Sequence, residues 1–329
     1  MAAVVQVAGT LIAGPLIDRY GARLALRIGP GLHFCAALIF LGTVRDVPIG
    51  GARVLQGLAL AVMLPAAYSL APSLSAPRFR ATAFGIVGVL QNLALAAGPP
   101  LGLWLLGRGA KVLFLAATAS ASLGLALSLA LRAGAPPARR TAMFKFRGSW
   151  TPLLAATFLT VVFFGPILAY LPIHVAQHHG GNVGWFFTAD ALALLLLRVP
   201  TGYITDRLGS RWLLLGGIVM SAASNTLLLA PPSLALLLVA GTGAGIGAAM
   251  LYPPILLELS LRSDDSDRGT AMALYSSGFA GAIGFGSLAG AFAIAHVGFP
   301  LTILMGSACC LAALPVVLAS LGRREPVRL

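Results

Sequence analysis

Apolar stretches long enough to cross a lipid bilayer recur along the whole chain, and this feature leaves few folds open to it. A helix needs roughly 17–25 apolar residues to cross the ~30 Å hydrocarbon layer. Of the 329 residues, 58% are hydrophobic and 9% are charged, whereas a soluble domain carries about 25% charged residues. The chain is therefore predicted to be an all-α polytopic membrane protein.

Eleven such stretches predict eleven transmembrane helices. They cover residues 1–17, 26–44, 51–73, 82–106, 111–132, 152–174, 184–204, 212–230, 233–258, 269–295 and 298–320. The first stretch lacks the basic segment that opens a cleavable signal peptide, so it is predicted to be a membrane helix.

The net charge of +13 follows a membrane topology rather than a nucleic-acid surface. Most of the 22 Lys and Arg residues lie in alternate turns between the predicted helices or in the C-terminal tail. This positive-inside pattern predicts an N-terminus outside and a C-terminus in the cytoplasm, in the plasma (inner) membrane. A nucleic-acid surface would gather the cations on one soluble element, so no nucleic-acid partner is predicted.

A ten-residue motif with the pattern G-x-x-x-D-R-x-G-x-R occurs twice, 188 residues apart. The first copy consists of Gly14, Asp18, Arg19, Gly21 and Arg23, and the second of Gly202, Asp206, Arg207, Gly209 and Arg211. The same offset relates Arg80 to Arg268, Gly98 to Gly286 and Gly102 to Gly290. A constant offset through separate segments indicates an internally duplicated chain.

The duplication predicts a first half that is one helix short. The second half opens with a helix near Pro152, and the offset places its counterpart about 36 residues before the given sequence starts. Five helices are therefore expected in the first half and six in the second. The predicted domains are an N-terminal bundle (1–132), a basic cytoplasmic linker (133–150), a C-terminal bundle (151–322) and a cytoplasmic tail (323–329).

The duplicated motif resembles motif A of the major facilitator superfamily, which lies between the second and third helices and again between the eighth and ninth. Arg53-Val54-Leu55-Gln56-Gly57 resembles the R-x-x-x-G motif of that family's fourth helix. The stretch 94–102 resembles the antiporter motif of the fifth helix, although Ala94 and Leu103 replace two of its glycines. The resemblance implies two bundles related by a pseudo-twofold axis along the membrane normal, here with 11 transmembrane helices (5 + 6), the first bundle holding helices 2–6 of the family pattern.

Two interpretations of the duplicated motif stay open at this point. One is a gate, in which Asp18 accepts charge-assisted hydrogen bonds from a neighbouring arginine and from a helix N-terminus of the opposing bundle. Arg80 and Arg268 are the candidate partners. The other is a tight cytoplasmic turn, in which Gly21 adopts a positive φ and the arginines anchor the chain. Two copies at matching positions favour the gate.

Charged side chains inside the predicted helices are few and informative, because a charge in lipid is costly. Asp190 is predicted either as a protonatable or cation-pairing cavity residue or as a structural residue near the outer interface. Arg198 lies two turns further along the same helix. Arg53 and Gln56 are one turn apart, and the resemblance implies a role for Arg53 in proton coupling.

Glycine pairs spaced four residues apart predict close packing between helices, because no side chains separate the backbones. Gly98 and Gly102 form one such pair, and Pro99 between them is expected to kink its helix. A phosphate-binding loop is the alternative, but the sequence has no G-x-x-x-x-G-K-[ST] pattern.

These residues and the resemblance predict secondary active transport by alternating access, with proton-coupled efflux of a small organic molecule. The direction rests on the antiporter-like motif alone. The alternative is a transport-incompetent truncated fragment or a regulatory membrane protein. No catalytic motif occurs in the sequence, so neither an enzyme nor a cofactor is predicted, apart from a proton gradient. The histidines of residues 174–179 favour a solvated loop over a metal site. The expected partners are a small-molecule substrate and the lipid bilayer, with no oligomer required.

Overall fold

The structure is a computed structural model that describes residues 2–42, 46–131, 146–179 and 181–321. Residues 133–145 of the predicted linker and the predicted tail (323–329) lie outside these ranges, and the side chain of Pro99, within the second range, is not among the described side chains.

All regular structure within these ranges is helical. The helices are α1 (Ala2–Tyr20), α2 (Ala22–Gly42), α3 (Asp46–Leu74), α4 (Arg80–Leu106), α5 (Ala110–Ala130), α6 (Thr151–Val161), α7 (Phe164–Gln177), α8 (Gly184–Leu208), α9 (Ser210–Leu227), α10 (Leu234–Leu261) and α11 (Arg268–Leu321). Short 3-10 turns at Pro77–Phe79 and Gly148–Trp150 precede α4 and α6.

The helices match the eleven predicted stretches once two breaks are taken into account. As one straight helix, the 54 residues of α11 would extend about 80 Å, far more than the ~30 Å hydrocarbon layer. Its backbone is non-helical at Gly298 (φ 80°, ψ 168°), which divides it into the last two predicted stretches. Conversely, α6 and α7 are two pieces of one stretch, interrupted just before Gly165 and Pro166.

Seven helical stretches of the described residues are long and apolar enough to cross a membrane by length and composition. They are Ala22–Gly42, Pro48–Leu74, Ala110–Ala130, Gly148–Gln177, Gly184–Leu208, Leu234–Leu261 and Arg268–Leu321. Large apolar side chains such as Leu103, Leu288 and Phe292 are exposed on the surface. Such a surface suits lipid, whereas soluble proteins seldom expose large apolar patches.

The chain forms two compact units, each of which combines segments of both sequence halves. The first unit consists of Met1–Leu74, Leu93–Phe146 and Ser260–Ser277, and the second of Ser75–Asn92, Arg147–Leu259 and Gly278–Leu329. The two exchanged segments contain the starts of α4 and α11, which the 188-residue offset relates to each other. The domain boundaries given above from the sequence remain predictions.

Two buried clusters, one in each unit, differ in the size of their side chains. In the first unit, a small cluster of Ala13, Ile17, Ala25 and Ala66 surrounds the end of α1. In the second unit, a larger cluster contains the aromatic side chains of Phe163, Phe186 and Phe299 together with Ile, Leu and Val residues. Small side chains let helix axes approach closely, which the alanines around the end of α1 permit.

Helix α10 packs closely against two neighbours of the second unit through glycines. A methyl group added at Gly241 or Gly245 would collide with backbone carbonyl groups of α8, at Phe186 and Asp190. At Gly247 it would collide with the side chain of Ser221 on α9. This packing fixes the part of α8 that carries Asp190.

Candidate functional site

The carboxylate of Asp18 caps the N-terminus of α11 within the first unit. Asp18 lies in the last turn of α1 and is 6% exposed. The backbone N–H groups of Gly269 and Thr270 donate hydrogen bonds to its two oxygens at 2.6 and 2.8 Å, and the Thr270 hydroxyl donates a third at 2.5 Å. The first turn of a helix leaves N–H groups without helical partners and carries partial positive charge, so it stabilises a carboxylate placed there.

Asp206 makes the same three bonds with α4 within the second unit. It lies in the last turn of α8 and accepts hydrogen bonds from the N–H groups of Ala81 and Thr82, both at 2.8 Å. The Thr82 hydroxyl donates the third at 2.6 Å. Asp206 corresponds to Asp18 in the 188-residue repeat, and Ala81 and Thr82 correspond to Gly269 and Thr270. The two caps therefore have equivalent donors and acceptors. In both caps the aspartate comes from one sequence half and the helix start from the other.

The first glycine of each motif allows the capped helix to come close. Gly14 and Gly202 lie one turn before the two aspartates. A methyl group at Gly14 would lie 2.8 Å from the Cα atom of Thr270, and one at Gly202 would lie 2.9 Å from the Cα atom of Thr82. Both distances are shorter than Cβ atoms in proteins tolerate, so each glycine is required for its cap.

The second glycine of each motif forms a turn between two helices. Gly21 and Gly209 have φ values of 89° and 83°, a region that glycine enters without steric cost. Their N–H groups donate to the carbonyl oxygens of Ile17 and Thr205 at 2.7 and 2.9 Å. The motif therefore contains both a tight turn and a helix cap, and the two interpretations of the sequence describe neighbouring parts of one structure.

The motif arginines lie mainly on the surface. Arg19 and Arg207 are exposed, and each guanidinium lies over the ring of a nearby tyrosine, at 5.2 and 4.5 Å from its centroid. Arg211 is also exposed, and Arg23 is half-buried. Arginine and aromatic side chains in such positions suit an interface between membrane and water.

The predicted arginine partners lie beside the donors of the caps. Arg80 and Arg268 are the first residues of α4 and α11, and the donated bonds come from the two residues that follow each of them. Arg268 forms an ion pair with Asp265 at 2.8 Å. The donors Thr82 and Thr270 were not among the predicted partners, although each lies two residues after a predicted arginine and the two are related by the 188-residue offset.

Arg198 is a buried charge within α8. Arg198 is 4% exposed, and its guanidinium lies 5.1 Å from the ring centroid of Tyr252. Its Nη1 atom donates to the carbonyl oxygen of Gly88 on α4 at 3.4 Å. A methyl group at Gly88 would collide with the guanidinium. Asp190 is half-buried two turns earlier, where its backbone faces α10 at Gly245, so these two candidates have different neighbours.

Arg53 and Gln56 contact each other one turn apart on α3, in the first unit. The Nη1 atom of Arg53 donates to Oε1 of Gln56 at 3.1 Å. Arg53 is exposed, and its guanidinium lies 5.2 Å from the ring centroid of Phe40 on α2. The two candidates thus contact each other, whereas the role of Arg53 in coupling stays a prediction.

The glycine pair of α4 differs from the expected close packing. Among the described residues, a methyl group at Gly98 or Gly102 would meet no atom within 4 Å. The corresponding pair in α11, Gly286 and Gly290, is buried, and a methyl group at Gly290 would lie 2.5 Å from Cγ of Pro166. Close packing is thus found at one copy of the pair and not at the other within the described part of the chain.

The histidines at the end of α7 pack against α11. The ring of His174 stacks on Phe299 with 4.0 Å between centroids, and the ring of His178 lies 4.3 Å from that of His174. Within the ranges that the structure describes, no group of three or more His, Cys, Asp or Glu side chains is placed to hold a metal ion.

The chain contains two repeats of membrane helices, and in each repeat an aspartate at a helix end caps the start of another helix. These features define a class of internally duplicated α-helical membrane proteins. The sequence matches the Major Facilitator Superfamily over residues 1–182 and 153–329. The chain therefore belongs to this family, and the predicted fold class is confirmed.

Several relatives are named as transporters. An uncharacterized MFS-type transporter of Salmonella typhimurium is 25% identical over 234 residues, which are 70% of this chain and 60% of that protein. The human organic anion transporter MFSD10 has a TM-score of 0.84 at 16% identity, covering 96% of this chain and 82% of that one. The E. coli fucose:proton symporter has a TM-score of 0.80 at 13% identity, covering 97% and 90%. At these identities the solved structures show a shared fold, and the chain spans less than two thirds of the Salmonella relative.

Proposed function

We propose that this protein is a secondary active transporter that works by alternating access. Its family and its shared fold with solved transporters support transport as the activity. The observation that carries the proposal is the pair of caps formed by Asp18 and Asp206. Each cap joins the end of a helix from one sequence half to the start of a helix from the other, so it can favour one of two arrangements of the halves.

The strength of such a cap suits a contact that is made and broken in each cycle. A hydrogen bond to a charged group contributes about 1.5–3 kcal/mol net, so breaking the cap of the buried Asp18 has a cost of at least that order. A difference of ~1.4 kcal/mol changes a population ratio tenfold. The cap therefore biases the closed arrangement, and a substrate releases it by binding the open arrangement more tightly.

The proposed transport is proton-coupled efflux of a small organic molecule, driven by the proton gradient across the plasma (inner) membrane. The antiporter-like stretch 94–102 supports the direction, and the bonded pair of Arg53 and Gln56 is the candidate for coupling. Asp190 and Arg198 are candidates for binding a charged substrate or a proton, because charged groups within membrane helices are rarely there for stability alone.

Transport in reconstituted vesicles tests this proposal. The purified protein is incorporated into liposomes, and a panel of small organic compounds is measured with and without an imposed proton gradient. Gradient-dependent counter-movement of at least one compound is expected, and it should fall in Asp18→Asn. Asp265→Asn is the matched control, because Asp265 is an exposed acid near the same helix start whose ion pair contributes little. Co-directional movement of compound and protons would contradict efflux, and folded protein without any flux would contradict transport.

A second candidate function is that of a transport-incompetent fragment or a regulatory membrane protein. The pair Gly98 and Gly102 of α4 favours it, because methyl groups added there would meet no described atom within 4 Å, whereas the matching pair of α11 is closely packed. This function predicts an inserted, folded protein whose caps form normally and which moves no compound in the vesicle assay.

A further inference from the structure

Helices α2 and α3 of the first unit pack in the same way as α9 and α10 of the second unit. A methyl group at Gly29 on α2 would lie 3.4 Å from the carbonyl oxygen of Ala59 on α3. The 188-residue offset relates these residues to Gly217 and Gly247. A methyl group at Gly217 on α9 would likewise lie 3.0 Å from the carbonyl oxygen of Gly247 on α10. The two helix pairs are therefore equivalent in packing as well as in sequence.

This equivalence places His33 at the contact between α2 and α3. His33 lies one turn after Gly29 on the same face of α2, and its counterpart in the second half is Ser221. A methyl group at Gly247 would collide with the side chain of Ser221, so that serine faces α10. The equivalent neighbour of His33 is Ala59, which is fully buried. The Nδ1 atom of His33 is buried and has no hydrogen-bond partner among the described residues.

Two further polar residues belong to the same packing of α2 on α3. The guanidinium of Arg53 lies over the ring of Phe40 on α2 and donates to Gln56, which lies one turn before the alanine that faces the histidine. Their counterparts in the second half are Gly241 and Ala244, neither of which has a polar side chain. A polar group within a membrane helix is costly and usually functional. The first unit therefore carries three polar side chains where the second has a serine and two small residues.

Of these three residues, only His33 can exchange a proton near neutral pH. Arginine stays charged and glutamine does not titrate, whereas histidine changes its charge between pH 5 and 8. Helix α2 packs against α1, α3 and α5. Apart from Arg53, the charged residues of these described helices lie within two turns of a helix end. They are Asp18, Arg19, Arg23, Arg27, Asp46 and Lys111.

We propose that His33 carries the coupled proton of this transporter and transmits its charge to the pair of Arg53 and Gln56. This inference rests on the proposed function. The neutral imidazole leaves the hydrogen bond from Arg53 to Gln56 intact. The imidazolium repels the guanidinium and competes for the amide oxygen of Gln56, so it favours an arrangement in which that bond is broken. Water donates the proton to His33 on one side of the membrane and accepts it on the other.

Transport with and without a proton gradient separates this role from a structural one. The compound that the parent protein moves in the vesicle panel is used for both measurements. In His33→Gln, gradient-driven flux is expected to fall at least ~10-fold, because no proton is carried. Exchange of the labelled compound for unlabelled compound at equal pH needs no proton and should stay within ~2-fold of the parent.

Two further variants guard this experiment against misfolding and against general effects of histidine loss. His33→Ser introduces the residue that the equivalent contact of the second unit accommodates, and it should show the same split between flux and exchange. His296→Gln is the matched control, because His296 is an exposed histidine of the second unit. Both of its rates should equal those of the parent. Undiminished gradient-driven flux in His33→Gln and His33→Ser, or equal loss of flux and exchange in both, would overturn the inference.

A second measurement needs no transported compound, so it decides the inference even if the parent protein moves nothing and the proposed function fails. The five histidines are labelled with ¹⁵N on the imidazole ring, and their NMR signals are followed from pH 5 to 8 in nanodiscs. The signal that disappears in His33→Gln is that of His33. It is expected to change from the neutral to the protonated form within this range, and its response should differ in Arg53→Gln but not in Lys111→Gln. A His33 signal that stays neutral throughout, or that ignores Arg53→Gln, would overturn the inference.

Discussion

The two aspartate caps have the same hydrogen bonds and different surroundings. In the first cap, Asp18 and Thr270 are 6% and 2% exposed, whereas Asp206 and Thr82 in the second cap are half-buried. Water replaces a broken hydrogen bond readily at a half-exposed site and poorly at a buried one. The duplication has thus produced two caps with the same kinds of hydrogen-bond donor. Because it is more deeply buried, the Asp18 cap is the stronger of the two.

The turns beside the caps differ in polarity. In the second unit, the hydroxyl of Ser210 donates to the buried carboxylate of Glu258 at 2.7 Å. The corresponding positions of the first unit hold Ala22 and Leu70. The turn of the first copy therefore rests on apolar packing, whereas that of the second copy includes a polar contact between α9 and α10.

A third difference lies one or two turns further into the helices. The offset relates Arg198 to Thr10 and Gly88 to Ser276. The second unit thus combines a large cation with a residue that has no side chain, while the first unit has two small hydroxyl residues at these positions. The volume that the cation needs is supplied by the glycine.

Removing the charge of the buried cap is expected to have the largest effect on transport. Loss of a buried partner of charged hydrogen bonds costs roughly 2–3 kcal/mol, so Asp18→Asn should slow the initial transport rate about 10-fold or more. Asp206→Asn, at the half-exposed cap, should slow it about threefold. Rates are compared in liposomes at equal protein content, with Asp265→Asn as the control. Equal losses in the two variants would show that burial does not set the strength of the caps.

Making the second unit resemble the first at Gly88 is expected to reduce stability. The side chain of Gly88→Ser would collide with the guanidinium of Arg198, and overpacking of this kind lowers the melting temperature by roughly 5–10 °C. The double variant Gly88→Ser with Arg198→Thr should recover most of that loss, because it reproduces the pair found in the first unit. A double variant no more stable than Gly88→Ser alone would contradict the idea that the glycine exists to admit the arginine.

Removing the hydroxyl donors sharpens the comparison of the caps. Thr270→Val keeps the side-chain shape and deletes one bond to Asp18, at a cost of about 1 kcal/mol, so transport should slow about fivefold. Thr82→Val at the half-exposed cap should slow it less than ~2-fold, because water can replace the hydroxyl. Initial rates in the same liposome assay measure both, and a larger effect of Thr82→Val would reverse the ranking of the two caps.

The smallest effect on the transport rate is expected from substitutions at Gly269 and Ala81, which precede the two threonines of the caps. A methyl group at Gly269 would lie 2.7 Å from Oδ1 of Asp18, so Gly269→Ala displaces that carboxylate. Transport is expected to slow about twofold, since the bond is lengthened rather than lost. The second cap accommodates a methyl group at Ala81, and Ala81→Gly should leave the rate unchanged within error. Identical rates for Gly269→Ala and the parent protein would show that the first cap tolerates a wider approach.

The sequence predicted the parts of the site whose signal is local. Asp18 and Asp206 were identified because their motif occurs twice, and the turns at Gly21 and Gly209 because glycine is the residue that adopts a positive φ readily. A helix N-terminus was predicted as one partner of Asp18 and the arginines Arg80 and Arg268 as the other candidates; in the structure the donors are backbone N–H groups at two helix starts and two threonine hydroxyls. Every residue except proline carries a backbone N–H group, so no sequence pattern distinguishes the few that meet a carboxylate.

The sequence by itself determined the helical class, the order of the helices, the duplication and the family, since all of these follow from hydrophobic length and a repeated spacing. Only the tertiary structure decided which helix start each aspartate caps, that Arg198 needs Gly88, and that one glycine pair is covered while its copy meets none of the described atoms. These features depend on which backbones come within a few ångströms of each other. Such distances arise from the packing of residues more than a hundred positions apart, which a repeated motif does not encode.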